Sequence, residues 1–230
     1  DYQEGPWFYK RNGKYYLAFA STCCPEGSGY AMSDSPIGPW EYKGHIMDHT
    51  PRTRGNHPGI IDYKGKSYVF GLCYDIFRLE TPRHAERRSA VAAEMHYNED
   101  GTIQMLPYFQ DCELNQIEPL NPFRKVEAET IAWGYGLKTT PRRAWGTHST
   151  NQIVTNIDEN EFILVKGVDF GKGAKTFKVC ASTHLMGGTI ELHLDSKSGP
   201  MIGKVKVGNT KDEYIEFETP VKNAKGVHDL

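Results

Sequence analysis

The sequence predicts an all-β chain in two parts, a partial β-propeller followed by a β-sandwich, and three observations carry that expectation. The 230 residues include 23 glycines and 13 prolines spread along the whole length, a density of breakers that leaves little room for long helices and favours short strands. One segment of the first half repeats at an offset of 52 residues. The second half carries a run of strict apolar–polar alternation. With 27 Lys+Arg against 29 Asp+Glu the formal net charge is −2. That balance argues against a nucleic-acid partner, which calls for a basic excess or stripe. No apolar run approaches the ~18–20 residues of a membrane span, so no membrane partner is expected.

The repeat comes first. Pro6 to Ser21 reads PWFYKRNGKYYLAFAS and Pro58 to Cys73 reads PGIIDYKGKSYVFGLC, with Pro6/Pro58, Gly13/Gly65, Lys14/Lys66 and Tyr16/Tyr68 in register. Each copy runs from an apolar stretch through a Gly-Lys turn into an aromatic-rich stretch, the pattern of a β-hairpin. Between the copies, Tyr30 to Tyr42 predicts two more strands around a Pro-Ile-Gly-Pro turn. Four strands in about 50 residues make a propeller blade. Residues 1–124 hold a little over two such units, whereas a propeller closes with about four or more blades. The chain is therefore expected to begin inside a propeller. His84 to Met95 is rich in Ala, Glu and Arg, a helical composition. Its run into Asn98-Glu99-Asp100-Gly101, a tight-turn signal, favours a hairpin instead.

From Pro107 to Arg124 the pattern lapses, with prolines at 107, 119 and 122. Residues 119–124 read as a linker between a propeller part at 1–118 and a second domain at 125–230. In that domain Ile190, Leu192 and Leu194 alternate with Glu191, His193 and Asp195. Phe162–Val165, Thr176–Ala181, Lys204–Val207 and Tyr214–Phe217 are further short β runs, punctuated by glycines at sandwich spacing.

Few residues point to chemistry on local sequence alone. The five cysteines (23, 24, 73, 112 and 180) include no CxxC and form neither a disulfide framework nor a zinc set. Glu4, beside Gly5-Pro6-Trp7, reads first as a solvated carboxylate near a chain end, or as a partly desolvated general acid. His57, in Gly55-Asn56-His57-Pro58, caps a strand or faces a ligand. His45 and His49 are spaced for a metal only on a helix, which Gly44 and Pro51 disfavour. Arg87 and Arg88 pair with a surface carboxylate or orient a sugar or carboxylate through a planar guanidinium. Glu127 and Glu129 share one face of an expected strand at 126–129, where a cation such as Ca²⁺ relieves their repulsion. Four tryptophans and thirteen tyrosines suit sugar stacking, although most belong to a core.

Laid out in order, the segments resemble a known pairing. EGPWFYKRNGKYYLAFAS, YAMSDSPIGPWEYKG, NHPGIIDYKGKSYVFG and RRSAVAAEMHYNEDGTI resemble the C-terminal part of a family 43 glycoside hydrolase, a five-bladed propeller enzyme. VEAETIAWGYGL, NIDENEFILVKGVDFGKGAKTF, GGTIELHLDSKSGPMIG and GVHDL resemble a family 6 carbohydrate-binding module, a jelly-roll sandwich. The resemblance implies an inverting α-L-arabinofuranosidase that removes arabinose side chains from arabinoxylan. The same fold also supports β-xylosidases, endo-acting arabinanases or xylanases, and a degenerate glycan-binding scaffold. It implies that Glu4 is the general acid, that Arg88 lines the sugar pocket and that His57 sits near the propeller axis, where a calcium ion is often bound. Inversion needs a second carboxylate about 6.5–9.5 Å away, and in the family that base lies upstream, so residues 1–230 alone are expected to be inactive. In the module, Glu127, Glu129 and Asp229 match a structural Ca²⁺ site. Tyr214 matches a sugar-stacking aromatic, and Asn156 stands where the second aromatic is usual. A secreted, monomeric protein acting on plant cell-wall xylan is expected.

Overall fold

The structure, a computed structural model, describes residues 2–22, 27–48, 50, 55–74, 89–109, 114, 116–142 and 151–230. Every named element among these residues is a strand, and no helix is long and apolar enough to cross a membrane. The chain divides into two compact units, Asp1–Asn115 and Gln116–Leu230.

The first unit opens on β1 (Tyr2–Arg11), β2 (Lys14–Ser21), β3 (Ser28–Ser33) and β4 (Glu41–His45), an antiparallel sheet in chain order. A second antiparallel sheet follows, built from β5 (Gly59–Tyr63), β6 (Lys66–Cys73) and β7 (Ser89–Met95). The sequence repeat is visible as geometry. β1 and β2 turn on Asn12 and Gly13 at φ 47° and 83°, and β5 and β6 turn on Lys64 and Gly65 at φ 49° and 78°. Two successive positive φ values are the signature of a type I′ turn, whose twist matches the strands it joins, and glycine takes its second position without strain.

The alanine-rich stretch before Met95 is a strand over its described part, Ser89–Met95; residues 84–88 lie outside the described residues. Its composition is overridden by packing, because Ala93 and Met95 alternate into the core at 0% and 1% exposure. The Asn98–Gly101 turn follows as the sequence predicts, with the Gly101 N–H bonded to the Asn98 carbonyl.

Both sheets share one core, which includes Tyr16, Tyr30, Ile46, Val69, Met95, Leu106 and Phe109. Two of its buried tyrosines also carry polar ties. The Tyr16 hydroxyl donates to the Gly101 carbonyl at 2.8 Å, and the Tyr30 hydroxyl accepts the Ile103 N–H at 2.9 Å. These bonds pin the turn after β7 to the first sheet.

The second unit contains β8 (Trp133–Tyr135), β9 (Lys138–Pro141), β10 (Gln152–Thr155), β11 (Phe162–Leu164), β12 (Val168–Asp169), β13 (Thr176–Ala181), β14 (Gly188–His193), β15 (Met201–Val207), β16 (Ile215–Pro220) and β17 (Val227–His228). They pair antiparallel as β8 with β11, β9 with β10, β12 with β17, β13 with β16 and β14 with β15. The faces meet on Val168, Phe170, Leu192, Leu194, Ile202, Val221 and Ala224, a sandwich core. Leu192 and Leu194 point inward, as the alternation predicts. Leu120, within the stretch read as a linker, bridges to Val168 and packs against this core.

One local expectation is corrected. Residues 126–129 are not a strand but lead into a turn, with the Thr130 N–H bonded to the Glu127 carbonyl and the Ile131 N–H to the Glu129 carbonyl. Alternation without a neighbouring strand to pair with does not make a ladder, and pairing begins only at Trp133.

Candidate functional site

β1 is irregular where it carries its carboxylate. Its register against β2 slips between Tyr2 and Glu4 and again between Glu4 and Trp7, and Gly5 sits at φ 64°. A bulge of this kind bends a strand and re-aims its side chains. Here Glu4 Oε1 comes to 3.1 Å from His57 Nε2, with the two side chains 53% and 44% exposed. Glycine at position 5 is what permits the approach, because a Cβ there would lie 2.6 Å from His57 Cγ.

Two further contacts fix the partners. The Trp7 indole N–H donates to the Ile60 carbonyl at 2.9 Å, tying β1 to the strand that follows His57-Pro58. Asn56, 1% exposed, grips β6 with both ends of its amide. Its Nδ2 donates to the Leu72 carbonyl at 2.8 Å, and its Oδ1 accepts the Leu72 N–H at 2.9 Å. Sequence reasoning noted Asn56 only as part of its tetrapeptide. A partner 16 residues away on another strand leaves no periodic trace, and the only local signal is the pair of turn-forming residues Gly55-Asn56 before a proline.

A half-exposed carboxylate with one oxygen engaged by an imidazole keeps its other oxygen for a ligand. Such a group can hand a proton to a leaving oxygen in an open cleft. The structure thus brings together Glu4 and His57 of the residues singled out in the first half. Arg88 and its neighbour Arg87 lie outside the described residues, as does His49. His45 ends β4, a strand, so the helical spacing a metal pair needs is absent there.

In the second unit, Tyr214 is exposed and the Arg142 guanidinium carbon lies 4.5 Å over its ring. One face of the aromatic is therefore shared with a cation. Arg142 bonds Asn151 at one end of the β9–β10 ladder, whereas the exposed Asn156 leaves the other end at φ 57°. Two of the three carboxylates expected to hold calcium have partners within the chain. Glu127 Oε1 pairs with Lys125 Nζ at 2.7 Å, and this hydrogen bond holds its carboxyl below the usual carboxylate range. Asp229 Oδ1 accepts the Gly167 N–H at 2.8 Å. Among the described residues no three His, Cys, Asp or Glu side chains are grouped as a metal requires.

Comparison with known proteins bears on both units. Residues 1–103 match the model for glycosyl hydrolases family 43, and residues 127–230 match that for carbohydrate binding module family 6. An arabinoxylan arabinofuranohydrolase of Paenibacillus polymyxa is 36% identical over 99% of this chain, and one of Bacillus subtilis is 33% identical over 98%. The chain spans only 38% and 46% of these two relatives' lengths. A crystal structure of a family 43 arabinoxylan arabinofuranohydrolase from Bacillus subtilis, in complex with cellotetraose, matches with a TM-score of 0.80 at 32% identity. That match covers 99% of this chain and 50% of the other. The two sheets of the first unit are thus propeller blades, the second unit is a carbohydrate-binding sandwich, and the chain belongs to glycoside hydrolase family 43 with a family 6 module attached.

Proposed function

We propose that the protein of which this chain is part is an α-L-arabinofuranosidase that releases arabinose side chains from arabinoxylan with inversion. Glu4 is the general acid. Its bulged strand and the imidazole of His57 hold it at the cleft, and it protonates the glycosidic oxygen as the bond to the sugar breaks. A second carboxylate from an upstream blade activates water on the opposite face, and Arg88 binds the furanose. The single observation that carries this reading is the meeting of Glu4 and His57 at 3.1 Å, on residues just ahead of two successive copies of the repeat. The similarity to arabinoxylan arabinofuranohydrolases over both units, rather than the propeller alone, favours that activity over a β-xylosidase or an endo-acting enzyme.

The module keeps the enzyme on its polymer and raises the local concentration of substrate. Tyr214 supplies the stacking surface, and Asn156 supplies hydrogen bonds where a second aromatic is usual. A structural calcium ion held by Glu127, Glu129 and Asp229 rests on the resemblance alone. It predicts a higher unfolding midpoint in calcium than in chelator, and equal midpoints reject it. Action outside the cell follows from the size of the xylan polymer.

The catalytic reading is tested by arabinose release from arabinoxylan by the full-length protein. Glu4→Gln is expected to lower turnover by ~10²–10⁴-fold, the usual contribution of a general acid. Unchanged release overturns the assignment.

A further inference from the structure

The His57 imidazole is half-exposed and meets β1 at Glu4 and Gly5. The preceding residue anchors the loop that carries it. Asn56 is buried, and its amide closes two hydrogen bonds on the single residue Leu72, one given and one received. Such a pair fixes both the distance and the rotation of the amide relative to β6. The strand is shaped to receive it: a Cβ on Gly71 would overlap Asn56 Oδ1 and lie 2.6 Å from the Phe109 ring. Phe109 is itself in the core, so the amide and the ring both crowd the bare backbone of Gly71.

We propose that Asn56 is a positioning residue of this site, which by clamping its loop to β6 holds His57 in place to orient Glu4. The inference rests on the reading of Glu4 as general acid and extends it to a residue that touches neither sugar nor proton. An amide satisfies Leu72 fully at every pH. Alanine removes both bonds and leaves a buried N–H and carbonyl without partners. Ionised aspartate keeps the acceptor but turns an oxygen toward the Leu72 carbonyl. Protonated aspartate restores the donor, and burial favours that neutral form.

The test uses the full-length protein and two arabinofuranosides, one with a poor alkyl leaving group and one with a dinitrophenolate that departs unaided. Asn56→Ala is expected to lower kcat on the alkyl substrate by ~10–100-fold, the scale of a small misplacement of a catalytic group. KM and dinitrophenolate release should stay within ~2-fold, because only the assisted departure needs Glu4. Asn56→Asp is expected to be impaired at neutral pH and to recover toward wild type as the pH falls. That profile is independent of whether the alanine variant folds. Equal losses on both substrates, or an Asn56→Asp profile parallel to wild type, overturn the clamp. A parallel Glu4→Gln measurement separates the two claims. If Glu4→Gln is impaired on the alkyl substrate and Asn56→Ala is not, the clamp alone fails. If Glu4→Gln matches wild type, the acid assignment and the clamp fail together.

Discussion

Gly5 shows how much of the site depends on an atom that is missing. At φ 64° with the His57 ring against it, any side chain meets both backbone strain and a clash. Gly5→Ala is expected to cost ~1–3 kcal/mol and to abolish assisted leaving-group departure in the full-length protein; wild-type turnover would show that His57 need not lie where it does. Tyr16 makes a complementary case inside the core. Burial pushes its phenol above the ordinary value, so it stays neutral and donates to Gly101. Tyr16→Phe leaves that carbonyl without its partner and is expected to destabilise by ~1–2 kcal/mol in chemical denaturation. The reach of the sequence at this scale follows the same physics. Glu4 and His57 stood out because they sit in short motifs beside glycine and proline, while their expected roles came from the resemblance. Their mutual contact and the Asn56 clamp were not legible, since both depend on strands brought together from distant parts of the chain.

Among elements, the hairpins were the most legible because turn chemistry is local. Asn12-Gly13 declares its turn through two residues that tolerate positive φ, and Lys64-Gly65 through its glycine. Gly13 and Gly101 separate conformation from crowding: both have positive φ, 83° and 85°, but a Cβ meets nothing at Gly13 and the Tyr16 hydroxyl at 2.9 Å at Gly101. Gly13→Ala should cost only backbone strain, ~1–2 kcal/mol, and Gly101→Ala measurably more in the same denaturation assay. The short strands β8, β9, β10, β12 and β17 escaped the sequence reading because two to four residues are too few to show a period. On β14, the Gly199 carbonyl and then Glu191 raise the affinity of His193 for its proton. A raised folded value means that this contribution to stability is complete below the unfolded value of ~6.5 and is lost as pH rises through the folded one. The difference in melting temperature between wild type and His193→Ala should therefore be larger at pH ~5.5 than at ~8.5, and a difference independent of pH would remove the histidine from the account.

On the scale of the whole molecule, the architecture was legible as two textures, a 52-residue aromatic repeat and an alternating, glycine-punctuated domain, and each folds around its own core. The strand expected over Glu127 and Glu129 was not legible, since that stretch is a turn in which Glu127 pairs with a lysine. The division of labour predicts separable losses. Tyr214→Ala should weaken retention on a xylan-containing gel while leaving the turnover of small soluble arabinofuranosides unchanged, and equal retention would place the polymer contact elsewhere. The measurement that bears most directly on Glu4 is the dependence of kcat/KM on leaving-group acidity for the full-length protein and its Glu4→Gln variant. The wild type should be nearly insensitive to the leaving group, whereas the variant should fall steeply as the leaving group becomes less acidic. Matching slopes would contradict proton donation by Glu4.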